Sequence, residues 1–362
     1  MTTVLVLYGG RSSEHDVSCL SARSVLRAVD RDRWNVVQVG ITREGRWIRT
    51  EGDIVAPAGR ALPEVADEGP TVSLVRGRGG PILVEFTDAG FTEIARIDVA
   101  FPVLHGPYGE DGTVQGLLAT VGVPYVGADV TASSVGIDKR AMKNAFKARG
   151  LPQVAYLPVR RERFEVEGAA VLDELEGALG SPLFVKPARQ GSSIGITLAN
   201  DRDGLLAGLE EAFTYDRVAI VEEAVDRPRE LEVGAIGNDE PEITPPGEIR
   251  PSHEFYDFEA KYLDESELVV PADIPSDLAE QITSIARQAW LAIGCRGMAR
   301  IDFFLSGAGE LFLNEINTIP GFTPNSMFPR LWEAEGVGYP ELVDRLLQLA
   351  LDAADAEARY AP

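Results

Sequence analysis

Apolar and polar positions near the start of the chain alternate in a pattern that predicts a β-α-β unit. Residues 3–8 form an apolar run, a helical pattern opens at Ser12 or Ser13, and NVVQVGIT is a second strand. Strands joined by a helical crossover run parallel. Another buried strand, IDVAFPVLHG, ends at His105, where open α/β sheets place ligands, although a lone histidine is as often structural. The N-terminal part is therefore predicted to be an α/β domain with a parallel sheet.

A second unit is predicted from short strands in the middle of the chain. PLFVKPARQGSSIGITLA indicates a strand that ends near Lys186, a loop of small residues, and another strand. Consecutive small residues leave backbone N–H groups able to bind a phosphate, with the lysine as a point charge. No G-x-x-x-x-G-K-[ST] sequence occurs, so this loop is not a P-loop. VAIVEEAV and RELEVGAIG predict further strands, and the polar, aromatic segment 248–274 predicts a lid.

Helical spacing of apolar residues indicates three more helices. RAMKNAFKAR ends before Gly150 and Pro152, and SDLAEQITSIARQAWLAIG and YPELVDRLLQLALDAADAEA are amphipathic. Lys143 and Lys147 lie four residues apart on the first of these helices and are expected at the surface. Residues 50–95 carry no chemical motif and are predicted to form a peripheral insert.

The segment ARIDFFLSGAGELFLNEIN predicts a β-hairpin with an unusual polar face. Pairing Asp302 with Glu315 sets Arg300 opposite Asn317 and closes the ladder on a tight turn at 308–309. Side chains alternate along a strand, so these four side chains share one face of the hairpin.

A metal site is the interpretation that best explains this face. Opposed carboxylates repel each other across strands, so a cation is expected between them. Oxygen ligands without His or Cys suit Mg²⁺ or Mn²⁺. The alternative is a solvated charged face, but such a face seldom lies opposite a strongly apolar one. The apolar face consists of Ile301, Phe303, Leu305 and Ile316.

Composition limits the class of protein and its partners. A chain of 362 residues that is 45% hydrophobic and 25% charged is typical of a soluble globular protein with two or three domains. No apolar run reaches transmembrane length, and the first residues predict a strand rather than a signal peptide. A net charge of −23 argues against nucleic acid and anionic membranes as partners. Cys19 and Cys295 lack metal-ligand spacing and are expected to be buried thiols, so the cytoplasm is the predicted location.

Five motifs in order give the chain a more specific character: GGRSSEHDVS, HGPYGEDGTVQG, KPARQGSSIG, FYDFEAKY and ARIDFF…NEINTIPGFTPNS. Together they resemble the D-alanine–D-alanine ligases of the ATP-grasp superfamily over nearly the whole chain apart from residues 50–95. The resemblance implies an α/β protein in which a Rossmann-like parallel-sheet domain, residues 1–128, precedes a two-lobed α+β ATP-grasp fold. Its central lobe would span residues 129–222, and its C-terminal lobe, with lid and metal-binding hairpin, residues 223–362.

The resemblance also implies roles for particular residues. ATP would be bound by Lys139, Lys186, Ser193, Glu222, Glu223, Val225, Glu230, Phe255, Phe304 and Asn314. The amino-acid substrates would be bound by Glu14, His105, Ser326 and Met327. Groups that act in the reaction or close the site would be Glu14, Ser192, Lys261, Tyr262, Arg300 and Gly321. The metal ligands would be Asp302, Glu315 and Asn317.

The implied activity is ATP-dependent ligation of two D-alanines to D-alanyl-D-alanine for peptidoglycan synthesis. A carboxylate is a poor acyl donor, so it would first be phosphorylated by ATP to an acyl phosphate. Two Mg²⁺ or Mn²⁺ ions would assist, a monovalent cation is a candidate activator, and D-cycloserine would inhibit. A homodimer acting on small molecules, without nucleic acid or membrane, is the implied assembly.

Three alternatives remain open. A related ligase could join D-alanine to D-lactate or D-serine. Depsipeptide-forming relatives lack the lid tyrosine, so the resemblance at Tyr262 favours the dipeptide. A more distant ATP-grasp ligase, similar to glutathione synthetase, would share Lys186 and the hairpin but not the other motifs. A regulatory protein without catalysis would be expected to have lost part of the hairpin's polar face. Gln190 and Met327 depart from residues common in the family, and neither removes a catalytic group.

Overall fold

The computed structural model describes residues 1–55, 62–250 and 267–360. Its N-terminal sheet has the strand order β3-β2-β1-β7. Strands β1 (Thr2–Gly9), β2 (Trp34–Ile41) and β7 (Val99–Val103) are parallel, and β3 (Trp47–Thr50) is antiparallel to β2. Helix α1 (His15–Ala28) connects the first two strands, so the predicted parallel β-α-β unit is confirmed. Among the described helices, none is long and apolar enough to cross a membrane.

The region predicted to be a peripheral insert contributes to the N-terminal core. It contains an antiparallel sheet of β4 (Val72–Gly77), β5 (Gly80–Thr87) and β6 (Gly90–Arg96). Leu74 and Leu83 are buried in one cluster with residues of β1 and β7. The small sheet therefore covers one face of the parallel sheet, and the prediction that it is peripheral was wrong because its apolar side chains are buried in this core.

The last helix of the chain, α9 (Tyr339–Ala358), packs on the other face of the N-terminal sheet. Leu342 and Leu346 of α9 share a hydrophobic cluster with Val4 and Val6 of β1. The C-terminal end of the chain therefore returns to the N-terminal sheet.

The middle of the chain forms an antiparallel sheet in the order β10-β9-β11-β8. Its strands are β8 (Tyr156–Arg160), β9 (Leu183–Pro187), β10 (Thr197–Ala199) and β11 (Val218–Glu223). Helices α5 (Arg161–Leu179) and α6 (Arg202–Tyr215) pack on it through a shared apolar cluster. This layered arrangement holds the Lys186 strand beside the Glu222 strand.

A larger antiparallel sheet follows, in the order β15-β14-β12-β16-β17, with β13 beside β12. Its strands are β12 (Arg229–Gly237), β13 (Glu242–Ile243), β14 (Gly247–Arg250), β15 (Glu267–Val269), β16 (Gly297–Leu305) and β17 (Leu311–Asn317). Its buried face packs, in one cluster, against α3 (Val130–Ile137), α4 (Lys139–Ala148) and α7 (Ser276–Ile293). The remaining described helices are α2 (Thr113–Val121) and α8 (Met327–Ala334).

Candidate active site

A cleft of about 1530 Å³ is lined by residues of the central and C-terminal sheets. Glu14 and His105 reach it from the segments that follow β1 and β7, and Lys186 reaches it from β9. Side chains that were predicted separately from distant motifs thus meet in one cavity.

A β-bulge determines which side chains of β17 face this cleft. Asp302 pairs with Glu315 and Arg300 with Asn317, as predicted. The register then shifts by one residue, so that Asn314 has no partner of its own on β16. Leu313 and Ile316 on either side are buried in the core, whereas both Asn314 and Glu315 line the cleft. The bulge therefore places two consecutive polar side chains on the same face.

The same bulge makes the predicted two-residue turn at 308–309 wrong. Beyond it, Leu305 pairs with Leu311, and a five-residue connection, residues 306–310, joins the strands. The extra residue in β17 moves the centre of the turn by half a residue, so a longer loop must close it.

Three carboxylates lie in register across three adjacent strands on the cleft face. Glu232 of β12 pairs with Asp302 of β16, which pairs with Glu315 of β17. Arg300 donates two hydrogen bonds to Asp302, at 2.8 and 2.7 Å, and its Nε lies 2.9 Å from Glu232 Oε2. Lys139 Nζ lies 3.7 Å from Glu315 Oε2. Among the residues that the structure describes, this row therefore combines three carboxylates with a guanidinium and an ammonium group.

The donor set of this face fits a hard divalent cation. Asp302, Glu315 and Asn317 can each present an oxygen ligand, and oxygen is the ligand atom that Mg²⁺ and Mn²⁺ prefer. Within the described ranges, no three His, Cys, Asp or Glu side chains converge as metal ligands. The Asn317 amide lies beside these carboxylates, and its Nδ2 donates to Asp302 Oδ2 at 2.9 Å.

A buried cluster of two ammonium groups and one carboxylate lies along the cleft. Lys186 Nζ donates to Glu222 Oε2 at 2.7 Å, and Lys143 Nζ lies 3.1 Å from Glu222 Oε1. Burial opposes ionisation of Glu222, but the two lysines outweigh it and lower the pKa of Glu222 to about 2. The ionised cluster has a net charge of +1. Lys143 is 1% exposed, so the prediction that it lies at the surface was wrong.

A carboxylate and a histidine from the N-terminal sheet form another wall of the cleft. Glu14 is 5% exposed, and Ser192 donates to its Oε1. Its Oε2 has no hydrogen-bond partner in the described part of the chain. Burial lowers the pKa of His105, which favours the neutral ring. A carbonyl can only accept, so His105 Nδ1 donates to the Ile319 carbonyl at 3.0 Å. In the neutral ring the other nitrogen is then the acceptor, and Nε2 accepts from the Ser21 hydroxyl at 3.1 Å.

Glu110 completes a clamp on the backbone of Ile319. One Glu110 oxygen accepts from the Ile319 N–H at 3.0 Å and the other from the Gly106 N–H at 2.7 Å. With His105 on the carbonyl, both polar groups of Ile319 are held from the N-terminal sheet. The clamp positions the segment that leads to Gly321, which also lines the cleft.

The cleft continues to the N-terminus of α8. Ser326 precedes this helix, and its hydroxyl contacts the Thr323 hydroxyl at 2.9 Å and accepts from the Thr323 N–H at 3.1 Å. Helix N-termini favour carboxylates and phosphates. Met327 lines the cleft but is also buried in a small cluster with Ile249.

Comparison with known proteins assigns the chain to a family. Residues 3–128 match the model described as D-ala D-ala ligase N-terminus, and residues 145–348 match D-ala D-ala ligase C-terminus. The chain belongs to the D-alanine–D-alanine ligase family. The D-alanine--D-alanine ligase of Geobacillus kaustophilus is 47% identical over 352 residues, 97% of this chain and 95% of that protein. The enzyme of the same name from Streptomyces griseus is 47% identical over 363 residues, with 96% and 92% covered.

Solved structures show the same fold as this D-alanine–D-alanine ligase family member. The structure of the D-alanine-D-alanine ligase from Coxiella burnetii has a TM-score of 0.81 and 31% identity, covering 99% of this chain and 96% of that one. The VanG D-Ala:D-Ser ligase from Enterococcus faecalis also gives 0.81, at 32% identity, with 96% and 99% covered. The predicted α/β fold with an ATP-grasp portion is thus confirmed.

Every site residue predicted from the D-alanine–D-alanine ligase motifs lines the cleft where it is described. Phe255, Lys261 and Tyr262 lie outside the described residues. The roles of the individual residues remain predictions. Sequence reasoning missed two buried acids, Glu110 and Glu232, although the alternation of RELEVG places Glu232 on the same face as Glu230.

Glu110 should make the stability of this D-alanine–D-alanine ligase family member depend on pH. Burial, followed by the charge of Glu14, raises the pKa of Glu110 from 4.5 to about 8. The folded chain then binds a proton that the unfolded chain releases, so this contribution weakens stability as pH rises from about 4.5 to about 8. Urea unfolding should be measured at pH 5.5 and at pH 8. Between these two pH values the free energy of unfolding of Glu110→Gln should fall by at least about 1 kcal/mol less than that of the unmodified chain.

Asp111→Asn on the same loop serves as the control for Glu110→Gln. Asp111 accepts hydrogen bonds from the backbone N–H groups of Tyr108 and Thr113, at 2.9 Å each. The Asp111→Asn variant should be less stable at both pH values, but its free energy of unfolding should fall between pH 5.5 and pH 8 as much as in the unmodified chain. Equal pH dependence in the unmodified chain and Glu110→Gln would contradict the assignment.

Proposed function

We propose that the chain is an ATP-dependent ligase that joins two D-alanines to D-alanyl-D-alanine for peptidoglycan synthesis. The observation that carries this proposal is one cleft with three complementary charged regions. A lysine-rich region suits phosphates, an acidic sheet face suits divalent cations, and a buried carboxylate with an unpartnered oxygen suits an ammonium group. The family assignment and the motif order point to the same reaction.

The nucleotide is proposed to lie between the central and C-terminal sheets. Lys139 and Lys186 would hold its phosphates, supported by the net positive charge of the Glu222 cluster. Glu222, Glu223 and Val225 would lie beside the adenine and Glu230 beside the ribose. Ser193, Phe304 and Asn314 would complete the lining of this part of the cleft.

Asp302, Glu315 and Asn317 would hold two Mg²⁺ or Mn²⁺ ions, with Glu315 shared between them. Bound there, the ions would neutralise phosphate charge during transfer. Arg300 lies in the same row and supplies a fixed guanidinium that faces the cleft.

The first D-alanine is proposed to place its ammonium at Glu14, because the Oε2 atom of this buried carboxylate has no described partner. A neutral His105 beside it does not repel the ammonium. The second D-alanine would place its carboxylate at Ser326, at the N-terminus of α8. Met327 would border this second position.

The reaction then needs alignment more than covalent help from the protein. A carboxylate oxygen of the first D-alanine attacks the γ-phosphorus, the bond to ADP breaks, and an acyl phosphate forms. The amine of the second D-alanine attacks the acyl carbon. Phosphate leaves with the C–O bond electrons and takes up the proton that the nitrogen loses. Arg300 and the Gly321 N–H would stabilise the developing oxyanion. Lys261 and Tyr262 would close the site against water, and Phe255 would border the nucleotide.

Several further features of the proposal come from the family alone. We infer a homodimer, a cytoplasmic location and a candidate role for a monovalent cation. The domain boundaries remain those proposed above, residues 1–128, 129–222 and 223–362.

Phosphate release from ATP and Mg²⁺ tests the proposal directly. D-alanine alone should support release together with D-alanyl-D-alanine, whereas L-alanine should not. Mixtures of D-alanine with D-serine or D-lactate test the alternative second substrates, which matters because a D-Ala:D-Ser ligase shares the fold. Release only in such a mixture would replace the dipeptide assignment, and release with none of these substrates would contradict the proposal.

D-cycloserine is expected to compete with D-alanine, since it resembles cyclised D-alanine and presents a similar ammonium to Glu14. The apparent KM for D-alanine should rise with D-cycloserine concentration at constant kcat. L-cycloserine, with the opposite stereochemistry, is the matched control and should compete much more weakly. Equal inhibition by both forms would contradict recognition by the proposed D-alanine sites.

A further inference from the structure

Lys143 is a charged residue buried where the proposed reaction does not require one. It lies on α4 with 1% of its side chain exposed, and its Nζ is 3.1 Å from Glu222 Oε1. The Tyr156 ring centroid lies 5.2 Å from the same nitrogen. Burying an ammonium group is costly unless it is paired. Solvation at the surface therefore does not explain why a lysine occupies this position.

The Lys143–Glu222 pair connects two separate layers of the cleft. Met142 and Phe146, which flank Lys143 on α4, are buried in the core of the C-terminal sheet. Glu222 lies on β11 of the central sheet and also holds Lys186 of the neighbouring strand. The ion cluster is thus a polar link between a helix of one layer and two strands of the other.

Stability alone does not account for a lysine at this position. Buried ion pairs are often no more stabilising than apolar side chains of similar volume. Glu222 would keep a 2.7 Å partner in Lys186 without Lys143. The specific consequence of Lys143 is a second restraint on the Glu222 carboxylate and one extra positive charge beside the cleft.

One turn earlier on α4, a second lysine also lies near a carboxylate. Lys139 Nζ approaches Glu315 Oε2 at 3.7 Å, and Lys143 approaches Glu222. Residues four apart lie on one helix face, so one helix reaches a carboxylate of each sheet. Both carboxylates, Glu315 and Glu222, line the cleft that is proposed to hold the nucleotide.

We propose that Lys143 is a positioning residue for the nucleotide, which acts by holding Glu222 and Lys186 in place across the junction of the two sheets. This inference rests on the proposed function, because Glu222 and Lys186 are taken to contact ATP. It differs from a catalytic role, since Lys143 itself would not touch the substrate.

Lys143→Met tests this inference because methionine fills a similar volume without the charge. The dissociation constant for ADP, measured by calorimetry, and the KM for ATP should each rise about tenfold or more, as expected when one partner of a buried charge pair is removed. The KM for D-alanine should stay within about twofold, since Glu14 and Ser326 are unchanged. Lys147→Met, one turn further on the same helix at an exposed position, is the matched control and should resemble the unmodified chain.

A double-variant cycle then tests whether Lys143 acts through Glu222. If it does, Lys143→Met should weaken ADP binding much less in a Glu222→Gln background than in the unmodified chain. If Lys143→Met does not fold, Lys143→Gln keeps a hydrogen-bond donor without charge and replaces it in the same measurements. A lower melting temperature with unchanged ADP affinity would show a purely structural role and overturn the inference. An unmodified chain that does not bind ADP would instead contradict the proposed function.

Discussion

Glu315→Gln should reduce D-alanine-dependent phosphate release by about 1000-fold or more, as expected when a shared metal ligand is lost. Glu315 lines the cleft in register with Asp302, next to the bulged Asn314. Glutamine keeps the shape but offers one neutral oxygen in place of two charged ones, which a hard divalent cation binds weakly. Steady-state phosphate release over a range of Mg²⁺ concentrations measures the effect.

Glu310→Gln supplies the control for this experiment. Glu310 is exposed in the connection of the same hairpin, and its variant removes the same charge outside the cleft. It should release phosphate at the normal rate. Near-normal turnover of Glu315→Gln at low Mg²⁺ would contradict the metal assignment.

The hairpin illustrates what a period of two can and cannot predict. Alternation correctly paired Asp302 with Glu315 and placed Ile301 and Phe303 in the core. Strict alternation would have put Leu313 on the same face as Glu315, which burial forbids. Two consecutive polar residues inside LFLNEIN were the available signal of a bulge. The number of residues in the turn depends on that bulge, so the turn length could not be predicted while the bulge was not recognised.

Burial of charged side chains was the harder part to predict. Met142, Lys143 and Phe146 are the buried residues of α4. Nothing in the sequence distinguishes Lys143 from the exposed Lys147, because the two residues have the same chemistry and lie one turn apart. Only contact with Glu222, which is remote in sequence, distinguishes them. The motifs identified the residues of the cleft because those residues are part of the motifs themselves. The burial of Glu110 and Lys143 depends instead on packing between elements that are remote in sequence.

Arg300→Lys is expected to lower kcat by about 100-fold, the scale of losing an oriented oxyanion donor. The Arg300 guanidinium binds Asp302 through two parallel hydrogen bonds while its Nε also lies 2.9 Å from Glu232 Oε2. A lysine ammonium keeps the charge but cannot reproduce this planar arrangement. Rapid-quench measurement of single-turnover phosphate release and dipeptide formation would show which step slows.

Arg300→Lys separates two possible roles of Arg300, which are charge neutralisation and oriented hydrogen-bond donation. If Arg300 serves only to neutralise the Glu232–Asp302–Glu315 row, lysine should suffice and kcat should change little. If oriented donors stabilise the oxyanion, dipeptide formation should slow while the Mg²⁺ requirement stays the same. Arg296→Lys is the matched control, because Arg296 precedes the same strand and pairs with Glu357 rather than with this row. A raised Mg²⁺ requirement in Arg300→Lys alone would instead show that Arg300 acts by holding Asp302 in place for the metal.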